Sequence, residues 1–563
     1  MDLVCYEHDQ GFVLDRFKEG EFDYVDAANE VVEADFFRFI GAKGYLGQLA
    51  KTYPSPRKKE EVPTWFYLSS NLSMRLHGVH SFHAYPYVVR CGGMLNAFGP
   101  ELGRKTTHPD SGDVTLACNG FNDKNDYDRQ TPCDQDYLRK FSKHTDPDKL
   151  IDWFNHEVAC LLKKHKLFAK DGHWIGDGSY VFVPDNDEYE RSVRLLFDEH
   201  GHPIDSAKLA KMSPKTAARC RWRRCYKLVS LLYVDPSRNF FLRAAMRLVP
   251  GNEHECPVLY DMLDKFVEQV GDDVIRRLIL DRGFIDGERI AHCKKKLGID
   301  ILIPVRRDMD VYEDVLGLLK LNETKFEEYR TTKREPVEAP RLPHSPKSIR
   351  KREIKRQRTV KAKTETMAVP LPPDEVLVRT EVAGIEGLRT FTACSVPLNV
   401  IVNRDVYADG HTEVWMLLDT KPLTSSDGPL QRRAEYAIRN DIEEGHRQLK
   451  CFWDLARFTS RAFSMVLNQI VFVVLAYNLL QIFLRDQAEP PLSRRTRPRE
   501  LDLLLTTATV IIIYTENRFA TLTPMAYTEF LLTLDEQARA KVLARVRHLR
   551  AELGLALRLP RPP

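Results

Sequence analysis

The strongest constraint on the fold is a run of β-type segments beginning near Gly172 that gives way to alternating helix and strand. WIGDGSYVFV, YKLVSLLYVD and NFFLRAAMRLV are rich in β-branched and aromatic residues and are separated by turn signals, so they read as a three-stranded meander. A helix is expected in CPVLYDMLDKFVEQVG, a strand in VIRRLILD ending at Asp281, a helix in GERIAHCKKKLG and a strand in IDILIPV. The order βββαβαβ calls for an α/β fold, a mixed sheet with helices on its faces. Residues 308–430 interrupt it with further strand-like runs, VLVRTEVAGI, LRTFTACSV, LNVIVNRDVY and EVWMLLDT. A charged helix and a long apolar helix then follow.

At 563 residues the chain is too long for a single core. Residues 1–165 read as mostly helical, from the periodicity of VVEADFFRFIGAKGYLGQLAKTY and FYLSSNLSMRLHGVHSF, with a loop-like stretch in CNGFNDKNDYDRQTPCDQDY. The expected division is an N-terminal helical region (1–165), the first part of the α/β unit (170–307), a β-rich insertion (308–430), the second part of the α/β unit (431–485) and a helical C-terminal tail (486–563).

The net charge of +4 is unevenly spread. Ten Lys or Arg lie between Arg341 and Lys363 against one acid, Glu353, giving +9 there and 4 − 9 = −5 for the rest. This cluster, inside a proline-rich segment at 336–373, reads either as a disordered solvated linker or as a strip that orders along a polyanion. The eleven cysteines show no CxxC pair, the closest being Cys220 and Cys225, and are expected to be reduced thiols. His156, His173 and His254 lack metal-ligand spacing. No secretory signal is visible in MDLVCYEHDQGF, so a cytoplasmic location is expected. VLNQIVFVVLAYNLLQIFL approaches bilayer length, but Asn468, Gln469, Asn478 and Gln481 interrupt it. A buried core helix without membrane contact is the better reading.

The charged helix EYAIRNDIEEGHRQLK carries the chemistry. Tyr436, Arg439, Glu443 and Lys450 fall at about 0°, 300°, 340° and 320° on one helical face, a carboxylate flanked by two cations and a phenol. Phosphate-binding groups around a carboxylate suggest work on a phosphodiester. Glu444 lies about 100° further round, off that face. Two further acids could join Glu443: Asp177 inside a strand, and Asp281 where RLILD gives way to RGF at a sheet edge. Three acids from separate elements are what a two-metal phosphoryl-transfer site requires; the alternative is a pair of strand-end turn residues. The run RCRWRRCYK, with Arg221, Arg223 and Arg224, reads as a DNA phosphate contact or as the solvated start of a strand. Trp415 in EVWMLLDT is a base-stacking candidate or a core residue.

Over residues 172–484 these motifs resemble the DDE transposases of prokaryotic insertion sequences, in the group whose signature is YREK (the "IS-four" group). The first Asp matches Asp177 in DGS, the second Asp281 in DRGF, and the Glu matches Glu443 in RNDIEEGHRQLK, with Asn440 where Trp is common. The resemblance implies an RNase H-like sheet interrupted by a β-rich insertion subdomain, with Asp177, Asp281 and Glu443 as catalytic metal ligands for two Mg²⁺ or Mn²⁺ ions. It implies that Tyr436, Arg439 and Lys450 hold the DNA end, and that Trp415 stacks on a flipped base. The expected activity is cleavage at the terminal inverted repeats of a mobile element and strand transfer into target DNA, by a homodimer on double-stranded DNA. No Walker A loop is present, so no nucleotide cofactor is expected. A DNA-binding descendant without catalysis, and an RNase H-like endonuclease that does not join ends, remain as alternatives. Within a prokaryotic cytoplasm, association with the nucleoid is expected when DNA is bound.

Overall fold

The computed structural model describes residues 2–29, 32–91, 93–102, 104–107, 114–117, 121, 131–237, 240–321, 324–329, 377–424, 427–487 and 509–558. The basic segment 336–373 lies outside them, as does most of the loop-like stretch before Asp134.

The centre is built from β1 (His173–Val183), β2 (Val193–Phe197), β3 (Arg221–Val234), β4 (Phe241–Pro250), α1 (Glu255–Val270), β5 (Arg277–Leu280), α2 (Gly287–His292) and β6 (Asp300–Pro304). Strand β3 runs antiparallel to both β1 and β4, whereas β5 is parallel to β1 and β6 parallel to β5. The spatial order β4-β3-β1-β5-β6, an antiparallel meander extended by parallel strands through helical crossovers, is the RNase H-like topology. Helix α1 forms because His254 accepts from the Cys256 amide at its start and Gly271, at φ +117°, ends it. It buries Leu259, Met262, Leu263 and Phe266 against the sheet. Close approach is made by Gly176, where an added Cβ would stand 2.6 Å from Leu259 and 2.7 Å from Leu280.

The insertion supplies β7 (Glu327–Tyr329), β8 (Leu377–Leu388), β9 (Leu398–Tyr407) and β10 (Thr412–Asp419). These do not form a sheet of their own. Strand β10 pairs antiparallel with β6, so the inserted strands extend the central sheet to ten strands. The run LRTFTACSV is not a strand beyond Leu388; Cys394 and Val396 are buried from a loop, and the Ala393 backbone closes over Gly287. Its β-type composition reflects burial without a partner edge.

The charged segment is α3 (Pro429–Tyr436), a 3₁₀ turn over Ala437–Arg439 and α4 (Asn440–Cys451), in place of the single α-helix assumed from periodicity. After it, α5 (Phe463–Asp486) runs through the middle of the protein, with 94% of its most apolar 18-residue window buried. Three of the four polar residues that interrupt it are bonded internally. Asn468 donates to the Tyr67 hydroxyl, Gln469 to the carbonyls of Leu455 and Arg457, and Asn478 bonds the Arg243 amide and carbonyl. The N-terminal helices pack around α5, as in the edge-to-face pair Phe36 and Phe483, within one apolar cluster that also includes the sheet.

The two ends of the chain meet. Strands Glu7–His8 and Tyr24–Asn29 pair with the C-terminal hairpin Thr509–Thr515 and Arg518–Leu522 in a four-stranded sheet, followed by helices Pro524–Thr533 and Glu536–Arg558. The tail is therefore not wholly helical: TVIIIYT is a β-branched run whose partner edge lies near residue 25. Nine cysteines, Cys5, Cys133, Cys160, Cys220, Cys225, Cys256, Cys293, Cys394 and Cys451, are free thiols.

Candidate active site

Strand alternation places Ile175, Asp177 and Ser179 on one face of β1, opposite the face that Gly176 turns toward α1. In the parallel pairing of β1 with β5, Gly176 lies beside Leu280, so Asp177, still within β1, stands next to Asp281, the first residue past the end of β5. Asp281 also caps the turn that follows, one carboxylate oxygen accepting from the Arg282 amide at 2.7 Å. It is thus both a turn residue and a member of the cluster.

Helix α4 lies across this edge. Its Ile442, with Ile438 from the turn before it, is buried against Ile175, Leu232 and Ile279 and sets the height of Glu443. The guanidinium of Arg439 joins the acids: Nη1 donates to Glu443 Oε1 and Nη2 to Asp281 Oδ2, each at 3.1 Å. Burial opposes its charge, but the nearby Asp281 and Asp177 carboxylates more than offset that and hold its pKa above the usual value. Asp177 is the most enclosed of the three acids, at 16% side-chain exposure against 37% for Asp281 and 60% for Glu443. Burial raises its pKa, partly countered by Arg439 and by the Gly178 amide that donates to Oδ1.

The remaining residues of the motif surround this cluster. Lys450 donates to Ser179 Oγ at 2.6 Å, and burial followed by the charge of Arg243 pushes its ammonium down to about 8. Tyr436 is half-buried between the clusters around Ile175 and Leu417, and burial raises its phenol. Glu444 turns away to bond Arg447 and Gln448.

Trp415, on β10, reaches the same neighbourhood from the insertion. Its ring centre is 6.3 Å from that of Tyr436, its indole N–H donates to Asp405, and the Arg433 guanidinium sits 4.8 Å from the ring centre. The basic run divides. Arg221 is exposed at the start of β3, and Arg223 lies 3.3 Å from the centre of the Phe182 ring. Arg224 is turned inward, bonded to Ser192 and ion-paired with Asp187, so its charge ties β3 to the connection between β1 and β2.

The donor set suits hard divalent cations, since three carboxylates offer only oxygen. Arg439 occupies an oxygen on each of two of them, Glu443 Oε1 and Asp281 Oδ2, so a divalent cation has to displace the guanidinium there or use the remaining oxygens. Among the described residues, no three His, Cys, Asp or Glu side chains are already closed around one position.

Periodicity did not single out two groups. Arg277, at the start of β5, forms a buried ion-pair network with Asp419 at the end of β10 and with Glu435 on α3; Arg432 on α3 pairs with Asp419 and Asp427. Behind Asp177 lie Arg243 and His446. His446 stands three residues after Glu443 on α4, and that spacing was the only hint in the sequence.

The family model described as "Transposase DDE domain" matches residues 190–479, just over half of the chain, a span that contains Asp281 and Glu443 and begins after Asp177. Among solved structures, the chain is similar to the "piggyBac transposase synaptic complex with hairpin DNA", at 9% identity over 96% of this chain and 89% of that one. The TM-score is 0.36, too low to bear on the site. No curated protein matches the sequence.

Proposed function

Because the chain belongs to the transposase DDE domain family, we propose that it is an insertion-sequence transposase of the prokaryotic YREK-signature group, cutting DNA at the ends of its element and joining them to target DNA. The observation that carries this reading is the arginine bridge: Arg439 binds carboxylates from β5 and α4 at once, with Asp177 next to Asp281 on the neighbouring strand. This supports a site shared by three acids distant in sequence, from β1, the end of β5 and α4.

In this reading Asp177, Asp281 and Glu443 hold two Mg²⁺ or Mn²⁺ ions. When bound, such ions supply Lewis-acid stabilisation to the attacking and leaving oxygens of a phosphodiester. Arg439 and Tyr436 present N–H and O–H donors to the phosphate beside the cleaved bond. Lys450 contacts the strand end, held in place by Ser179. Two displacements use the same acids in turn, hydrolysis that frees a 3′-OH and attack of that 3′-OH on target DNA, with no covalent protein intermediate. Arg221 and Arg223 line the DNA path, and Trp415 offers a stacking surface beside Tyr436. The DNA-bound form is a homodimer pairing two terminal inverted repeats, and the setting is a prokaryotic cytoplasm.

The test is incubation of the full chain with terminal-repeat DNA, a target plasmid and Mg²⁺ or Mn²⁺. The expected result is cleaved ends and joined product, both lost in Glu443→Gln. Cleavage without joining would point to a nuclease, and binding without cleavage to an inactive descendant. Full activity in Glu443→Gln would refute the site.

A further inference from the structure

Helix α4 carries a second polar residue toward the sheet. His446 is 7% exposed and lies over the face that bears Asp177. Its Nδ1 is 3.1 Å from Nη2 of Arg243, a side chain 1% exposed and rooted on β4. Nη1 of the same guanidinium donates to Ser230 Oγ at 2.5 Å, and Ser230 is the residue directly opposite Asp177 in the β1–β3 ladder. The arrangement depends on a β-bulge: pairing shifts between Leu231 and Leu232, leaving Ala244 unpaired on β4. Asn478 of α5 takes up the Arg243 amide and carbonyl at the bulge.

This contact fixes the imidazole tautomer. A guanidinium can only donate, so Nδ1 must be the bare acceptor nitrogen. The ring proton then resides on Nε2, which has no hydrogen-bond partner and faces Asp177 Oδ2 at 3.6 Å. That distance is longer than a hydrogen bond, and a buried N–H otherwise without a partner gains by closing it onto the carboxylate.

We propose that Arg243 and His446 form a positioning relay that fixes the plane of the Asp177 carboxylate through an Nε2–H donor, leaving its other lone pairs for divalent cations. This rests on the reading of Asp177 as a metal ligand. Neither residue touches substrate: Arg243 sets the tautomer, His446 sets the carboxylate, and Ser230 fixes the guanidinium from below.

Two measurements on the full chain test it. In histidine-labelled wild-type protein, nitrogen NMR is expected to show His446 as the neutral Nε2–H tautomer, its signal assigned by its loss in His446→Gln; an Nδ1–H tautomer or a charged ring overturns the relay. In calorimetric titration with Mn²⁺ alone, His446→Phe is expected to bind about tenfold or more weakly, the usual scale for losing a group that orients a ligand. His446→Gln, whose amide can still donate, should stay within about threefold of wild type. If His446→Phe binds Mn²⁺ like wild type while Asp177→Asn does not, the relay is wrong and the metal site stands. If Asp177→Asn itself binds Mn²⁺ and cleaves DNA like wild type, the reading of Asp177 falls. Should His446→Phe fail to fold, the tautomer measurement decides.

Discussion

Asp419 is the most telling place to perturb the scaffold. Its carboxylate is 0% exposed and meets Arg277 Nη1 at 2.5 Å, Arg277 Nη2 at 2.9 Å, Arg432 Nε at 2.6 Å and the Lys421 amide at 2.8 Å. Removing one partner from a buried ion pair costs about 3–5 kcal/mol, because the other charge is left in a poorly solvating interior. Arg277 would retain Glu435, and Arg432 would retain Asp427, which moves the expectation for Asp419→Ala to the low end, about 3 kcal/mol. Asp419→Asn keeps the shape and some acceptor capacity and should cost about 1–3 kcal/mol. Asp427→Asn, at a side chain that is itself 30% exposed, should cost about 1 kcal/mol or less. Urea unfolding of the full chain, followed by fluorescence with comparison of slopes, measures all three. DNA cleavage should fall in the same order, because the network ties the start of β5, which ends at Asp281, to the helix that precedes Glu443. If Asp419→Ala costs under about 1 kcal/mol, or if it is no worse than Asp427→Asn, the argument from buried charge is wrong.

Other expectations follow from single contacts. With the Lys450 ammonium at about 8 in the folded chain against 10.5 ordinarily, the folded state loses this proton first. Stability should therefore rise between about pH 8 and 10.5 relative to Lys450→Met, and chemical denaturation of both proteins across that range checks the sign. Affinity for a strand-end oligonucleotide should also fall as pH rises through about 8, and fluorescence anisotropy showing the same affinity at pH 7 and 9 would refute the assigned contact. Gly176→Ala should lose about 1–3 kcal/mol by crowding Leu259 and Leu280, read as a lowered melting temperature. Asn478→Leu strands the Arg243 amide and carbonyl at the bulge and should cost about 1–3 kcal/mol in urea unfolding.

Much of the central sheet was legible because its elements are declared locally. β-branched and aromatic-rich runs between turn signals mark β1, β3 and β4, the segment CPVLYDMLDKFVEQVG marks α1, and DRGF marks the end of β5. The short hairpin strand β2 carries no clear signal in the sequence, since Val193–Phe197 is only five residues long and lies among turn signals. LRTFTACSV looked like a strand because buried loop residues carry the same apolar composition as paired ones.

The sequence by itself determined which residue types stand at which offsets: the acids Asp177, Asp281 and Glu443, the cations that flank the last of them, and the order of helices and strands that carries them. Tertiary structure alone decided which distant edges meet. It joined β10 to β6 so that the insertion widens the central sheet, and it closed the tail hairpin onto Tyr24–Asn29. It also brought Arg243 and His446, 203 residues apart in sequence, to 3.1 Å behind Asp177. The physical reason is that periodicity records only which face of an element is buried. The partner of that face is chosen by the packing of the whole chain, and a bulge or a buried charge becomes visible only once that packing exists.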